Sequence, residues 1–199
     1  MKNKLIKSAY VHIPFCKSIC SYCDFKKIKC SDELKGKYID CLIKELIHKK
    51  NSLNDIKTIY IGGGTPSCLP NDLLIKLLNN LKEYINLNNI VEFTIECNPK
   101  DINNESIDFY NKIISEYNIN RISLGIQSFN DSKLLFLNRN HDKGKAINAL
   151  KLLKSINFEN INVDLIYGFP LIKNKKIDNF KTIKKDIDLS IKYGARHIS

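Results

Sequence analysis

A chain of 199 residues is long enough to bury a full core as one domain, and 43% hydrophobic with 27% charged residues is the balance of a folded globular protein rather than a disordered one. No apolar run approaches a membrane span, and Met1–Lys7 carries positive charge without the apolar core or small-residue cleavage site of a secretory leader, so the chain reads as cytoplasmic. The formal net charge of +11 comes almost wholly from scattered lysines, with Arg only at 121, 139 and 196, and reads as solvated surface in an Asn- and Ile-rich sequence rather than as a nucleic-acid face.

The first predicted element is the apolar run Tyr10-Val11-His12-Ile13-Pro14-Phe15, followed directly by Cys16-Lys17-Ser18-Ile19-Cys20-Ser21-Tyr22-Cys23. Structural zinc takes four protein ligands and ferredoxin clusters take a cysteine on every iron, so three thiols with no fourth in step suggest a metal left with an open position. Small buried hydrophobes, or a zinc loop with a distant fourth ligand, are the other readings this spacing allows. Ser31-Asp32-Glu33 then starts a helix ending near Lys49-Lys50, with Leu34, Tyr38, Leu42 and Leu46 at i, i+4 spacing. Ile56–Ile61 is a strand stopped by Gly62-Gly63-Gly64-Thr65-Pro66, and a helix with Leu73, Leu74, Leu77, Leu78 and Leu81 on one face follows. Val91–Cys97 is a strand closed by Asn98-Pro99, with a helix over Glu105–Tyr117. The next strand, Arg121–Ile126, leads through Gln127-Ser128-Phe129 to a helix carrying Ala146, Ala149, Leu150 and Leu153. Asn160–Ile166 is a strand ended by Gly168-Phe169-Pro170, and its helix presents Phe180, Ile183, Ile187 and Ile191. Gly194–Ser199 has the composition of a turn entering a sixth strand, where the sequence stops. Strand, turn and helix alternate five times, which calls for an α/β fold with a parallel sheet and crossover helices, a βα barrel or part of one.

Alternation within the strands says which residues face together. Val91, Phe93, Ile95 and Cys97 oppose Glu92, Thr94 and Glu96; Ile122, Leu124 and Ile126 oppose Arg121, Ser123, Gly125 and Gln127; Ile161, Val163 and Leu165 oppose Asn162, Asp164 and Ile166. The apolar row must meet the helices, leaving a polar row inside, and a polar interior implies an incomplete barrel that holds a polar ligand. The Gly62–Pro66 turn lacks the Lys-Ser/Thr of a P-loop and the spacing of a dinucleotide fingerprint, so it is either a plain tight turn or a place where backbone approaches a ligand. Cys30, Cys41, Cys68 and Cys97 lack ligand spacing and read as packing or incidental, Cys41 fitting the apolar face of its helix. His12 and His141 read as satisfied polar residues rather than metal ligands.

The C-x3-C-x2-C spacing, preceded by Tyr10-Val11-His12-Ile13-Pro14-Phe15, resembles the radical S-adenosylmethionine (radical SAM) superfamily, and within it the oxygen-independent coproporphyrinogen III oxidase-like family. The resemblance implies a partial (βα)6-type barrel and a four-iron four-sulfur cluster on Cys16, Cys20 and Cys23. It implies that the cluster's fourth iron holds S-adenosylmethionine, which an electron can split to a 5'-deoxyadenosyl radical. It further implies cofactor contacts from the Gly63, Gly64 and Thr65 turn, from Glu96 to the ribose, and from Gln127, Arg139 and Asp164, with Tyr10 and Tyr22 close to cluster and ligand. On this reading residues 1–199 are the N-terminal, radical SAM core portion of a longer family member, cut at the start of the sixth strand.

Two branches share these motifs. The oxidase branch decarboxylates two propionates of coproporphyrinogen III, carries a further cysteine two positions after the last cluster cysteine, where this chain has Phe25, and has a longer arm ahead of the cluster. Both departures favour the heme-chaperone branch, with heme as bound cargo, recipient hemoproteins of respiration as partners, and no nucleic acid. That branch leaves room for peripheral membrane contact. Whether S-adenosylmethionine is cleaved stays open, coproporphyrinogen oxidation is the alternative function, and the heme-handling residues are expected beyond Ser199.

Overall fold

Six segments in which β-branched or aromatic residues alternate with polar ones become strands: β1 Ser8–Ile13, β2 Thr58–Gly63, β3 Glu92–Cys97, β4 Arg121–Gln127, β5 Ile161–Leu165 and β6 His197–Ile198. The structure is a computed structural model that describes residues 6–169 and 178–199; residues 1–5 and 170–177, with the Pro170 of the expected Gly168-Phe169-Pro170 turn, lie outside the described residues. The strands follow chain order, β1-β2-β3-β4-β5-β6, in one sheet that is not closed. The pairs β1–β2, β2–β3, β4–β5 and β5–β6 run parallel. The helices are α1 Asp32–His48, α2 Asn71–Tyr84, α3 Ile107–Tyr117, α4 Asp131–Phe136, α5 Lys143–Ser155 and α6 Phe180–Lys192. This is the α/β architecture with a parallel sheet that the alternation of elements requires, and the sixth strand forms, pairing Asn162 with His197 and Val163 with Ile198. No helix among the described residues is long and apolar enough to cross a membrane.

The chain divides into two units. The first comprises Met1–Lys17, Phe25–Ile95 and Phe109–Arg121. Its core is built by Ile13 and Phe15, by Ile59 and Ile61, by Phe93 and Ile95, and by Leu74, Leu77, Leu78 and Leu81 of α2, all buried. On α1 the buried stripe is Lys35, Ile39 and Ile43, one residue on from the expected Leu34, Tyr38, Leu42 and Leu46, and Leu34 is exposed. The cause is Tyr38, whose hydroxyl needs a partner and finds it at the rim, donating to the His12 carbonyl at 2.7 Å while its ring packs edge-on against Phe15. Lys35 takes the inner position because its stem is apolar and its ammonium reaches Asp32 and the Cys68 carbonyl. The same rotation puts Cys41 on the solvent side, exposed, against the packing role expected for it.

The second unit comprises Ser18–Asp24, Glu96–Asp108 and Ile122–Ser199. Ile122, Leu124 and Ile126 of β4, Ile161 and Val163 of β5, and Ala146, Ala149, Leu150 and Leu153 of α5 form its core. The small residues at 146 and 149 follow the expected α5 face. Two features differ from expectation. The short helix α4 forms between β4 and α5, where no separate helix was expected, capped by Asn130, whose side chain accepts from the amides of Ser132 and Lys133. On α6, Phe180 and Ile191 are 82% and 61% exposed, whereas Asp186 and Ser190 are buried. Burial of Asp186 is tolerable because each of its oxygens is hydrogen-bonded, to Ser128 and to the Phe129 amide.

Asn120, just before β4, stands in for strand backbone in the first unit. Its amide donates to the Phe93 carbonyl, its Oδ1 accepts from the Phe93 amide at 2.8 Å, and its Nδ2 donates to the Val91 carbonyl. Phe93 is fully buried, so Asn120→Ala leaves its amide without this acceptor and is expected to cost about 1–3 kcal/mol in urea unfolding. Asn120→Asp, which keeps the acceptor, is expected to recover part of it; a loss under about 0.5 kcal/mol for the Ala variant would contradict this role.

Candidate functional site

In the first unit, β1 runs straight into the first cysteine, and backbone bonds fix the transition. Ile28 donates its amide to the Pro14 carbonyl and Cys16 donates its own to the Ile28 carbonyl, closing the loop's two flanks on each other. The turn after β2 locks onto the same place: Gly64 donates to the Ile13 carbonyl and Thr65 to the Phe15 carbonyl, both at 2.8 Å. A side chain at Gly64 would meet Phe15 and Ile13 backbone atoms at 2.6–2.9 Å, which explains why glycine is needed there. Gly63 adopts φ 116° beneath the His12 ring and the Tyr10 hydroxyl. The Cys16 thiol lies 3.5 Å from the Thr65 hydroxyl. Tyr10 stacks near Tyr60, and its hydroxyl meets His12 Nδ1 at 3.1 Å. The first unit therefore brings together five residues picked from the sequence: Tyr10, Cys16, Gly63, Gly64 and Thr65.

In the second unit, the loop's middle is fastened to the end of α4. Ser21 donates its amide to the Leu137 carbonyl and its hydroxyl to the Phe136 carbonyl, and Asn138 donates its side-chain amide to the Ile19 carbonyl. The Phe136 and Leu137 carbonyls are C-terminal helix carbonyls, groups that lack intrahelical partners, so a six-residue helix is enough to hold the loop. Arg139 follows, donating Nη2 to the Gly125 carbonyl at 2.6 Å, and Nη1 to Cys20 Sγ at 3.3 Å and the Tyr22 hydroxyl at 3.4 Å. Gly125 leaves room for two of these side chains: a Cβ there would meet Gln127 Nε2 at 3.0 Å and Arg139 Nη2 at 3.4 Å, so both would have to shift by a few tenths of an ångström. Burial, with the neighbouring Cys20 and Cys23, pushes the Tyr22 hydroxyl up to about 12 against the pull of Arg139, so it stays protonated. The second unit thus gathers Cys20, Tyr22, Gln127 and Arg139. Cys23 donates its amide to the Cys20 carbonyl, and Glu96 is half-buried near the end of β3.

The polar rows are real and are wired within each unit. In the first, Arg121 donates to Thr94 and lies 3.9 Å from Glu92, while Thr94 donates to Glu92. In the second, Asp164 accepts from Ser123 and from Asn162 Nδ2, the latter at 2.7 Å, and Asn162 in turn meets His197 and Ser199. Asp164 therefore sits in a local network of neutral donors as well as at the strand end where a ligand contact was expected.

Three consecutive side chains after α4 carry buried atoms with no hydrogen-bond partner among the described residues: Arg139 Nε, Asn140 Oδ1 and His141 Nδ1. Such orphans cost roughly 1–3 kcal/mol each, which marks this place as one awaiting polar company. The thiols Cys16, Cys20 and Cys23 are half-buried and form no disulfide. Among the described residues no three His, Cys, Asp or Glu side chains are already gathered as a metal cage. The donor set nonetheless suits iron and sulfide: three soft thiols on one short loop, with a guanidinium beside one of them.

Sequence reasoning missed the α4 anchor, and it undervalued His141. That ring is 5% exposed, and its Nε2 lies 3.0 Å from the Ile126 carbonyl. A carbonyl only accepts, so Nε2 carries the proton and Nδ1 is a bare acceptor. The one legible signal was the Leu-Asn-Arg-Asn-His run itself, in a sequence sparing with Arg.

Comparison with known proteins follows the same lines. The description of the radical SAM superfamily matches residues 10–181. The heme chaperone HemW of Lactococcus lactis subsp. lactis is 38% identical over 192 residues, covering 96% of this chain and 48% of that protein. HemW of Bacillus subtilis is 35% identical over 197 residues, 98% of this chain and 49% of that one. Among solved structures, coproporphyrinogen III oxidase (HemN) from Escherichia coli superposes with a TM-score of 0.81 at 27% identity, over 96% of this chain and 43% of that one. The chain spans about half the length of the curated relatives it matches.

Burial, and then the Arg139 guanidinium, lower the His141 imidazole from 6.5 to about 4. In the unfolded chain it returns to its ordinary value and binds the extra proton first, so the native state is favoured fully above about pH 6.5 and progressively less down to about pH 4, by about 3 kcal/mol in all. Urea unfolding between pH 7 and pH 4 is therefore expected to show a steeper loss for the wild type than for His141→Gln, which keeps a donor but does not titrate. Parallel pH profiles for the two proteins would contradict it.

Proposed function

The chain belongs to the radical SAM superfamily, and from that premise we propose that it is the cluster- and S-adenosylmethionine-binding part of a heme chaperone, a protein that takes up heme and passes it to a recipient hemoprotein of respiration. The observation that carries this reading is the C-x3-C-x2-C loop set in a chain that resembles HemW along nearly its whole length. Residues 1–199 are, on this proposal, the N-terminal core of a longer protein. Free thiols and an oxygen-sensitive cluster suit a reducing compartment, hence the cytoplasm.

Cys16, Cys20 and Cys23 would hold three irons of a four-iron four-sulfur cluster. When bound, that cluster supplies an electron to the sulfonium of S-adenosylmethionine and an open iron to the ligand's amino and carboxylate groups. The chain's own residues do the positioning. The Gly63, Gly64 and Thr65 turn offers backbone without side chains in the way. Arg139, aligned by the Gly125 carbonyl, is the cation for the carboxylate, and its unpartnered Nε is available for a further acceptor. Glu96 and Asp164 supply acceptors for ribose hydroxyls or the ligand's ammonium, and Gln127 an amide at the end of β4. Tyr10 and Tyr22 offer flat apolar faces, and the Tyr22 hydroxyl, pushed up to about 12, stays neutral near pH 7.

A second reading, coproporphyrinogen III oxidation, is favoured by the likeness to HemN. Against it stands Phe25, 70% exposed, at the place where the oxidase branch carries an additional cysteine. Anaerobic heme titration of the longer protein to which residues 1–199 belong on this proposal is expected to give a saturable Soret shift, and its incubation with coproporphyrinogen III, S-adenosylmethionine and reductant to give no protoporphyrinogen. Catalytic conversion of coproporphyrinogen would reverse the ranking, and absence of a saturable shift would remove the chaperone reading.

A further inference from the structure

Gln127 is not merely the last residue of β4. Its φ is 68°, rare for a side chain of this kind, and the Ser128 amide donates to the Ile126 carbonyl at 2.8 Å, the i to i+2 bond of a γ-turn. With a positive φ at its centre this is the rarer and more strained form, and nothing in the residue type favours it. Strain of this kind persists only where surrounding groups over-determine the backbone.

Those groups are present, all in the second unit. His141 Nε2 donates to the Ile126 carbonyl, so that oxygen accepts from both sides of the turn. The Ile166 amide donates to the Gln127 carbonyl at 2.9 Å. Asp186, reaching from α6, accepts from the Ser128 hydroxyl at 2.7 Å and from the Phe129 amide at 2.9 Å. Behind Asp186 lies Lys133 of α4, fully buried, 3.7 Å from Asp186 and 2.6 Å from Asp178, with its ammonium 5.0 Å from the Phe169 ring centre. Asp178 in turn accepts from the Gly168 and Phe169 amides. A buried carboxylate needs this company, and the cluster as a whole directs it onto the two residues that follow Gln127.

We propose that His141 and Asp186, the latter 3.7 Å from a Lys133 ammonium it shares with Asp178, are positioning residues that hold the Gln127 γ-turn and so set the aim of the Gln127 side chain into the S-adenosylmethionine site. The inference rests on the reading of Gln127 as a cofactor contact. Neither residue touches the ligand on this account; each acts through the backbone of residues 126–129.

The test measures S-adenosylmethionine affinity by anaerobic titration of the reconstituted chain, following the electron paramagnetic resonance signal of the reduced cluster, with iron content and thermal midpoint recorded for every variant. His141→Leu and Asp186→Leu are each expected to weaken binding about tenfold while iron content is kept, and His141→Gln, which retains a donor near the Nε2 position, to stay within about threefold of the wild type. Gln127→Ala is expected to weaken binding by a similar factor, and to add little in the His141→Leu background, because both changes remove the same contact. Should Asp186→Leu fail to fold, Ser128→Ala breaks one of the same carboxylate contacts and takes its place. If Gln127→Ala weakens binding while His141→Leu and the Asp186 or Ser128 variant leave it unchanged, the positioning inference is overturned. It is equally overturned if the His141 and Gln127 effects multiply in the double variant. If Gln127→Ala itself leaves affinity unchanged, the reading of Gln127 as a cofactor contact fails, and the inference with it.

Discussion

A loop that carries three thiols and no fourth ligand cannot rely on a closed metal cage to shape it, so its own backbone must be held from outside. In the first unit the hold is the pair of bonds linking Pro14, Cys16 and Ile28, backed by the Gly64 and Thr65 amides on the end of β1. In the second it is the carbonyl end of α4, taken up by Ser21, with Asn138 bonding back to Ile19. Both solutions use the same resource, backbone groups left over at the end of a regular element. The rest of the fold supplies those ends in the right places.

The polar interior follows a second economy. Each unit pairs its inward polar side chains mostly with one another, Glu92 with Thr94 and Arg121 in the first and Ser123 with Asn162 and Asp164 in the second. Among the described residues the buried side-chain atoms without a partner lie in Arg139, Asn140 and His141, beside the loop anchor rather than along the strands. Of the three, Arg139 Nε is the one the proposed function uses, as a donor left open to a further acceptor.

Much of this was legible because it depends on local periodicity. Val-Ile-Phe alternation located β3, β4 and β5 to within a residue or two, and the Ser31 cap and the Leu-rich face of α2 located their helices. The cysteine spacing pointed to the family with no structural help, and the residues 62–66 turn showed itself by its glycines. What stayed hidden depends on partners distant in sequence. The α1 seam could run through Leu34 or through Lys35, one residue apart, and the choice is made by Tyr38 needing the His12 carbonyl. α4 is too short to display a period. The burial of Asp186 carried no sequence signal, because Lys133, 3.7 Å away, lies on another helix. The γ-turn at Gln127 had no signal at all, since glutamine has no leaning toward positive φ and the bonds that impose it come from 141, 166 and 186.

The central claim is that three cysteines leave one iron open and that S-adenosylmethionine occupies it. Electron–nuclear double resonance on the reduced, reconstituted chain, with S-adenosylmethionine carrying heavy nitrogen at its amino group, tests this most directly. The account predicts a resolved coupling between that nitrogen and the cluster spin, lost when any of Cys16, Cys20 or Cys23 is replaced by Ala. A cluster that forms fully yet shows no coupling, or a protein that takes up zinc in place of iron and sulfide, would contradict it.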